Sequence, residues 1–198
     1  MLIREQVSHL SDRSSEWQEI HYAWGALAGE VAVKFGETSE EKDMAACLSG
    51  WAAADPSSAM AWYNSLSEDK QRNNDLKWGT VYGLSNNDPM LATAFVLSRS
   101  ENGDKDAAKM MNLVAASLLR AGTAEAAASH INQMTESPLR DSAVKGYSER
   151  IARQDPSTAI DWARTITNPK LRNDALVSYG RRYMRLDPEA ASRWLSNS

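Results

Sequence analysis

Four cations recur at one position of a repeat. Arg72, Lys105, Arg140 and Arg172 each lie seventeen residues after an anchor, at 55, 88, 123 or 155. Lysine and arginine make up 22 of the 198 residues, so four hits at a single offset exceed casual placement. A ladder of cations along one face holds carboxylates or phosphates through charge-assisted hydrogen bonds. The same pattern has a structural reading. A cation at the start of a helix opposes the macrodipole, and a salt bridge or a contact with the carbonyls ending a preceding helix offsets that cost. His130 is the other candidate, because it stands where other repeats carry Trp or Phe. An inward imidazole is able to act as ligand or base, but no Ser, Cys, Glu or second His lies at a supporting spacing. His9 and His21 are isolated and read as peripheral.

The remaining polar features point away from catalysis. Asp75, Asp141 and Asp174 follow the basic residue of their repeats by one to three positions and read as its ion-pair partners, or as partners of the next repeat's cation. The run Asn102-Gly103-Asp104-Lys105-Asp106 lacks the alternation and closing Glu of a calcium loop and reads as a turn. Gly-x-Gly-x-x-Gly, P-loop, His-Glu-x-x-His, Cys-x-x-Cys and Gly-x-Ser-x-Gly motifs are all absent. The expectation is therefore a chain with no catalytic residue, no metal ligands and no cofactor.

Composition narrows the class. With 42% hydrophobic and 24% charged residues the chain has the makings of a folded core. No apolar run approaches the roughly 20 residues needed to cross a bilayer, so no membrane partner is expected. A net charge of −4 argues against a dedicated nucleic-acid binder, although it leaves room for a local basic patch. Cys47, the single cysteine, sits in an apolar helical stretch and reads as a small buried hydrophobe. The first ten residues contain no apolar region of signal-peptide length, so the cytoplasm is the default compartment, with export implied only if a leader has been removed.

These side chains must be positioned by the elements between them, and those elements repeat. Asp-Pro occurs at 55–56, 88–89, 155–156 and 187–188, with gaps of 33, 67 and 32 residues. Thr123-Ala124 divides the long gap, and Ala28 marks an earlier degenerate copy. Such periods belong to repeat arrays. Asp or Thr is a good N-cap, and proline suits the first helical position while excluding αR from the residue before it. Each anchor is thus expected to stop one helix and start the next. Four residues on come Ala59, Ala92, Ala127, Ala159 and Ala191. Seven on come Trp62, Phe95, His130, Trp162 and Trp194, and eight on Tyr63, Val96, Ile131, Ala163 and Leu195. Offsets of 4, 7, 8 and 11 trace one helical face, read as core. Arg99 breaks offset 11 and is expected to reach solvent from a helix end.

The pattern predicts first helices near 29–36, 56–67, 89–99, 124–135, 156–167 and 188–196. Second helices are predicted near 16–27, 40–53, 70–85, 104–120, 138–153 and 170–185. Residues 1–12 form a lead-in, and 13–198 a single helical-repeat domain with anchors near 28, 55, 88, 123, 155 and 187. The last repeat stops after its first helix, as expected of a piece of a longer array or of one closed by a capping half-unit.

Asp-Pro, then Ala, then Trp, then a basic residue opening the next helix resembles the αα-superhelix repeat proteins. The period is close to that of tetratricopeptide repeats, but the motif differs, because here proline opens the first helix. The chain more closely resembles uncharacterised bacterial repeat proteins with tandem Asp-Pro-x-x-Ala-x-x-Trp hairpins, over residues 28–198. This resemblance implies an all-α, right-handed α-α superhelix or solenoid of about five to six hairpins, and a scaffold that binds a protein or peptide partner. The weighed alternatives are nucleic-acid or other anionic-ligand binding through Arg72, Lys105, Arg140 and Arg172, and, ranked lower, an enzyme with a groove site near His130.

Overall fold

In the computed structural model, which describes residues 15–39, 41–121 and 124–196, each Asp-Pro dipeptide begins a helix, and at Asp55, Asp88 and Asp187 it directly follows the end of the helix before. The backbone N–H of Asp55, Asp88, Asp155 and Asp187 donates to the carbonyl four residues back, at 2.7 to 2.9 Å. One carboxylate oxygen of the same residues accepts from the backbone N–H of Ser58, Leu91, Thr158 and Ala190, at 2.9 to 3.0 Å. Their carbonyls accept from Ala59, Ala92, Ala159 and Ala191, so the recurrent alanine closes the first turn. One residue therefore satisfies groups of both helices, with no linker at Asp55, Asp88 and Asp187 and the turn 152–154 before Asp155. Hydrogen bonds donated by Ser58 hold the Asp55 carboxyl below the usual carboxylate range, and those from Thr158 do the same for Asp155. At the degenerate first junction Gly29 replaces Asp-Pro, with φ of +55°, a left-handed conformation that glycine adopts readily. The expected Thr123 cap and the 1–12 lead-in lie outside the described residues.

The described residues form thirteen helices and no strand. They are α1 (Ser15–Ala28), α2 (Glu30–Ser39), α3 (Glu41–Ala54), α4 (Pro56–Ser65), the short α5 (Glu68–Gln71), α6 (Asn74–Asn87), α7 (Pro89–Glu101), α8 (Ala107–Ala121), α9 (Ala124–Gln133), α10 (Pro138–Ile151), α11 (Pro156–Arg164), α12 (Pro169–Leu186) and α13 (Pro188–Ser196). The helix predicted over 70–85 is broken. Asn73 is extended, and its side chain caps α6 by accepting from Leu76 N–H at 3.1 Å, so the chain starts a new helix there. None of these helices is long and apolar enough to cross a membrane.

Packing divides the chain into two compact units, Met1–Phe95 and Val96–Ser198. In the first, α3 packs against both α1 and α6, with α2 and α4 alongside. These contacts bring backbone against backbone. A Cβ added to Gly25 would strike the Cys47 carbonyl, one on Gly50 the Tyr22 carbonyl, and one on Gly83 the Ser49 carbonyl. On Gly79 it would lie 2.6 Å from the Ala45 carbonyl. Tyr63 is fully buried and meets Phe95 edge-on at 5.2 Å. Cys47 is fully buried, as its apolar surroundings implied. His21 is not peripheral: it is buried against Trp17, with Nδ1 2.8 Å from the Trp17 carbonyl.

In the second unit α10 packs against α8 and α12, α9 joins α8 and α10, and α11 lies against α10 and α12. Gly146 presses on the Asn112 carbonyl of α8. The Tyr147 hydroxyl donates to the Ala124 carbonyl at the start of α9, 3.0 Å away. Tyr179 on α12 shares a 3.0 Å hydrogen bond with Ser148 on α10. Burial pushes the Tyr179 phenol up to about 12, with the Ser148 bond opposing the shift and the Glu149 carboxylate adding to it.

The apolar face is narrower than the sequence pattern suggested. Ala59, Ala92, Ala159 and Ala191, with Tyr63, Val96, Ile131 and Ala163, are fully buried. Trp62, Trp162 and Trp194 are only half-buried, because offset seven falls at the edge of the stripe. Their rings lean on Trp51, Tyr147 and Tyr183 at 5.9, 4.8 and 6.4 Å. Leu195, expected in the core, is 55% exposed. Arg99, expected in solvent, is largely buried and lies 3.8 Å from Asp104.

The glycine contacts generate a test. Gly50→Ala should cost about 3 kcal/mol in urea unfolding, because a methyl group must displace the α1 backbone. Gly180, whose added Cβ would meet only the Trp194 ring at 3.6 Å, should accept alanine with a gain of up to about 1 kcal/mol from helix propensity. Equal effects at the two sites would contradict the packing.

Candidate functional site

The four cations of the basic column do not share one local setting. Arg140 and Arg172 lie in the first turn of α10 and α12, whereas Arg72 ends α5 and Lys105 sits in the turn before α8. Loop lengths differ between repeats, so a constant offset lands on different local structure. Arg140 donates to the Thr165 carbonyl at 3.0 Å and Arg172 to the Ile166 carbonyl at 2.9 Å. Both cations thus meet unpaired carbonyls just past the C-terminus of α11, which offsets their placement at helix starts. Arg72 pairs with Glu68 at 3.3 Å on the surface, and Lys105 is exposed.

Asp141 completes this junction. It is 1% exposed and accepts from Thr167 N–H at 2.8 Å, Thr167 Oγ1 at 2.7 Å and Asn168 N–H at 2.8 Å. Burial raises its pKa, but these three bonds and the adjacent Arg140 outweigh it and leave the carboxyl below its usual range. Asp141 is therefore a clamp on the loop before α12 rather than a proton donor. Asp174 pairs with Lys170 at 3.0 Å on the surface. The turn at 102–106 is held by Gly103 at φ +76° and by Asp104 accepting from Asp106 N–H. No group of three His, Cys, Asp or Glu side chains among the described residues is placed to hold a metal ion.

His130 lies half-buried on α9, between the buried Ala127 and Ile131. Its Nε2 is buried and makes no hydrogen bond among the described residues. No nucleophile or carboxylate is bonded to it, so it lacks the second group that acid–base or nucleophilic catalysis requires.

The third acidic position, Asp75, leads to a site that the repeat pattern concealed. Asp75, Trp78 and Tyr82 occupy one face of α6 at spacings of three and four. They border a groove of about 910 Å³ that also takes in Trp17, Glu19 and Tyr22 of α1. Its floor is α3, where Ala45, Ala46 and Ser49 present small side chains. The close approach of Gly79 and Gly83 to α3 sets the depth of the groove. Trp17 packs against His21 with tilted rings 4.4 Å apart, while Tyr82 is 50% exposed. Ser49 buries a hydroxyl that makes no hydrogen bond among the described residues, an arrangement that costs about 1–3 kcal/mol. This groove has aromatic walls, carboxylates at its border and no nucleophile–base pair. Its chemistry is recognition rather than bond making.

No protein-family model matches the chain, and no curated protein or solved structure shows significant similarity to it.

Two variants test these assignments. Asp141→Asn should lose about 2–3 kcal/mol at pH 7, because the charged acceptor of three donors is gone. The folded pKa is lowered, so wild-type stability from this group is complete above the unfolded value and fades as pH falls below about 4. The gap between wild type and variant in urea unfolding should therefore close in acid; a gap independent of pH would contradict the clamp. His130→Trp restores the residue used at that offset in three other repeats and should stay within about 1 kcal/mol of wild type. A loss of several kcal/mol would show that the imidazole is specifically required.

Proposed function

We propose that the chain is a non-catalytic helical-repeat scaffold that binds a protein or peptide partner in the groove of α1, α3 and α6. On this reading the Asp-Pro repeats stack as hairpins of an αα-superhelix, in the manner of the repeat proteins that the sequence resembles. Each hairpin then buries its alanine edge against a neighbour and leaves its other surface for recognition. The observation that carries the proposal is the groove itself, an aromatic-walled channel of about 910 Å³ on packed second helices. Tyr82 is exposed and Tyr22 and Trp78 are half-exposed in this one concavity, and such aromatic side chains mark an interaction surface, since Trp and Tyr supply large contact areas at low entropic cost. Binding of nucleic acid or another anion through the basic column finds less support, because the guanidinium groups of Arg140 and Arg172 already serve backbone carbonyls.

The test is selection of a displayed library of twelve-residue peptides on the full chain, with Trp78→Ala as counter-selection. The proposal expects enriched sequences whose affinity falls about tenfold or more in Trp78→Ala, a typical loss for an aromatic anchor. Enrichment that survives Trp78→Ala unchanged, or no enrichment at all, would reject the groove as a peptide site.

A further inference from the structure

We propose that the groove of α1, α3 and α6 takes a basic peptide segment, with an arginine or lysine of the partner set against the Trp78 and Tyr82 rings and the Glu19 and Asp75 carboxylates. The inference rests on the peptide-binding reading and adds the charge of the partner. Three observations carry it. Glu19 and Asp75 both border the groove, and no lysine or arginine does so among the described residues. Neither carboxylate has an ion-pair partner among those residues, unlike Asp174, which pairs with Lys170. The carboxylates also share the groove with aromatic rings that remain accessible, and Asp75, Trp78 and Tyr82 follow one another on a single helical face.

That combination suits a cation better than any other group. A ring face attracts a cation within about 6 Å of its centroid. A guanidinium stacks flat on such a ring and keeps its N–H donors in plane, where a carboxylate beside the ring accepts them. An acidic segment would meet two like charges, and a purely apolar one would bury two carboxylates without partners. The small side chains of Ala45, Ala46 and Ser49 leave room along α3 for the main chain of the segment.

The sequences enriched in the peptide selection supply the test, with a charge-reversed chain, Glu19→Lys combined with Asp75→Lys, selected in parallel. Peptides enriched on the wild-type chain should carry arginine or lysine beside apolar residues. The most enriched peptide should bind about tenfold or more weakly once its basic residue is replaced by glutamine. The charge-reversed chain should enrich acidic peptides instead. Neutral or acidic peptides enriched on the wild type, still sensitive to Trp78→Ala, would overturn the charge inference and leave the peptide-binding reading standing. An empty selection, or enrichment indifferent to Trp78→Ala, would overturn both. Concentration-dependent dimerisation abolished by Trp78→Ala would also overturn it, by making a second copy of the chain the occupant. Urea unfolding of each variant checks that it is folded.

Discussion

Backbone-to-backbone contact between consecutive second helices is the constraint on which the rest of the fold depends. At Gly25, Gly50, Gly79, Gly83 and Gly146 a helix lies so close to its neighbour that a single methyl group would collide with a carbonyl. Helices that approach this closely gain dispersion along their whole contact and admit no larger side chain at the crossing. The α1–α3 and α3–α6 pairs of the first unit both use the device, as does the α8–α10 pair of the second. Since α3 is flanked on both sides, it contributes Ala45, Ala46 and Ser49 to the groove, and the aromatic residues of its neighbours rise on either side. The groove is a consequence of the packing rather than an addition to it.

The Asp-Pro corners set where those helices begin. All four aspartates share one backbone conformation, with φ between −129° and −145°, and one hydrogen-bond set. At Asp55, Asp88 and Asp187 the absence of linker residues restricts the angle between consecutive helices and so which faces meet. In the second unit a further lock is added by Arg140, Asp141 and Arg172, which together satisfy the carbonyls and N–H groups of the 165–168 loop. Buried polar groups of this kind are stable only when every member is bonded, and this one is.

Local features were legible in the sequence and long-range ones were not. The corners could be read because cap, proline and alanine lie within five residues of one another. The helix break at Asn73 was missed because an asparagine cap competes with continuation on nearly equal terms, and only the surrounding packing decides. The cations at offset seventeen shared a number but not an environment: Arg140 and Arg172 reach carbonyls, whereas Arg72 and Lys105 remain at the surface. Arg99 went inward because Asp104 stands beside it. The groove joins Trp17 and Tyr22 to residues some sixty positions later, a pairing that no periodicity encodes. The one available signal was the aromatic and acidic face of α6, Asp75, Trp78 and Tyr82, on a helix buried around most of its circumference.

Whether recognition occurs in this groove is most directly decided by the indole N–H resonances of the seven tryptophans, followed by NMR as a selected peptide is added. Trp17 and Trp78 line the groove, while Trp162 and Trp194 belong to the other compact unit. Shifts at Trp17 and Trp78, with Trp162 and Trp194 unmoved, are the expected result. Shifts at Trp162 or Trp194 while Trp17 and Trp78 stay fixed would contradict a binding site on α1, α3 and α6.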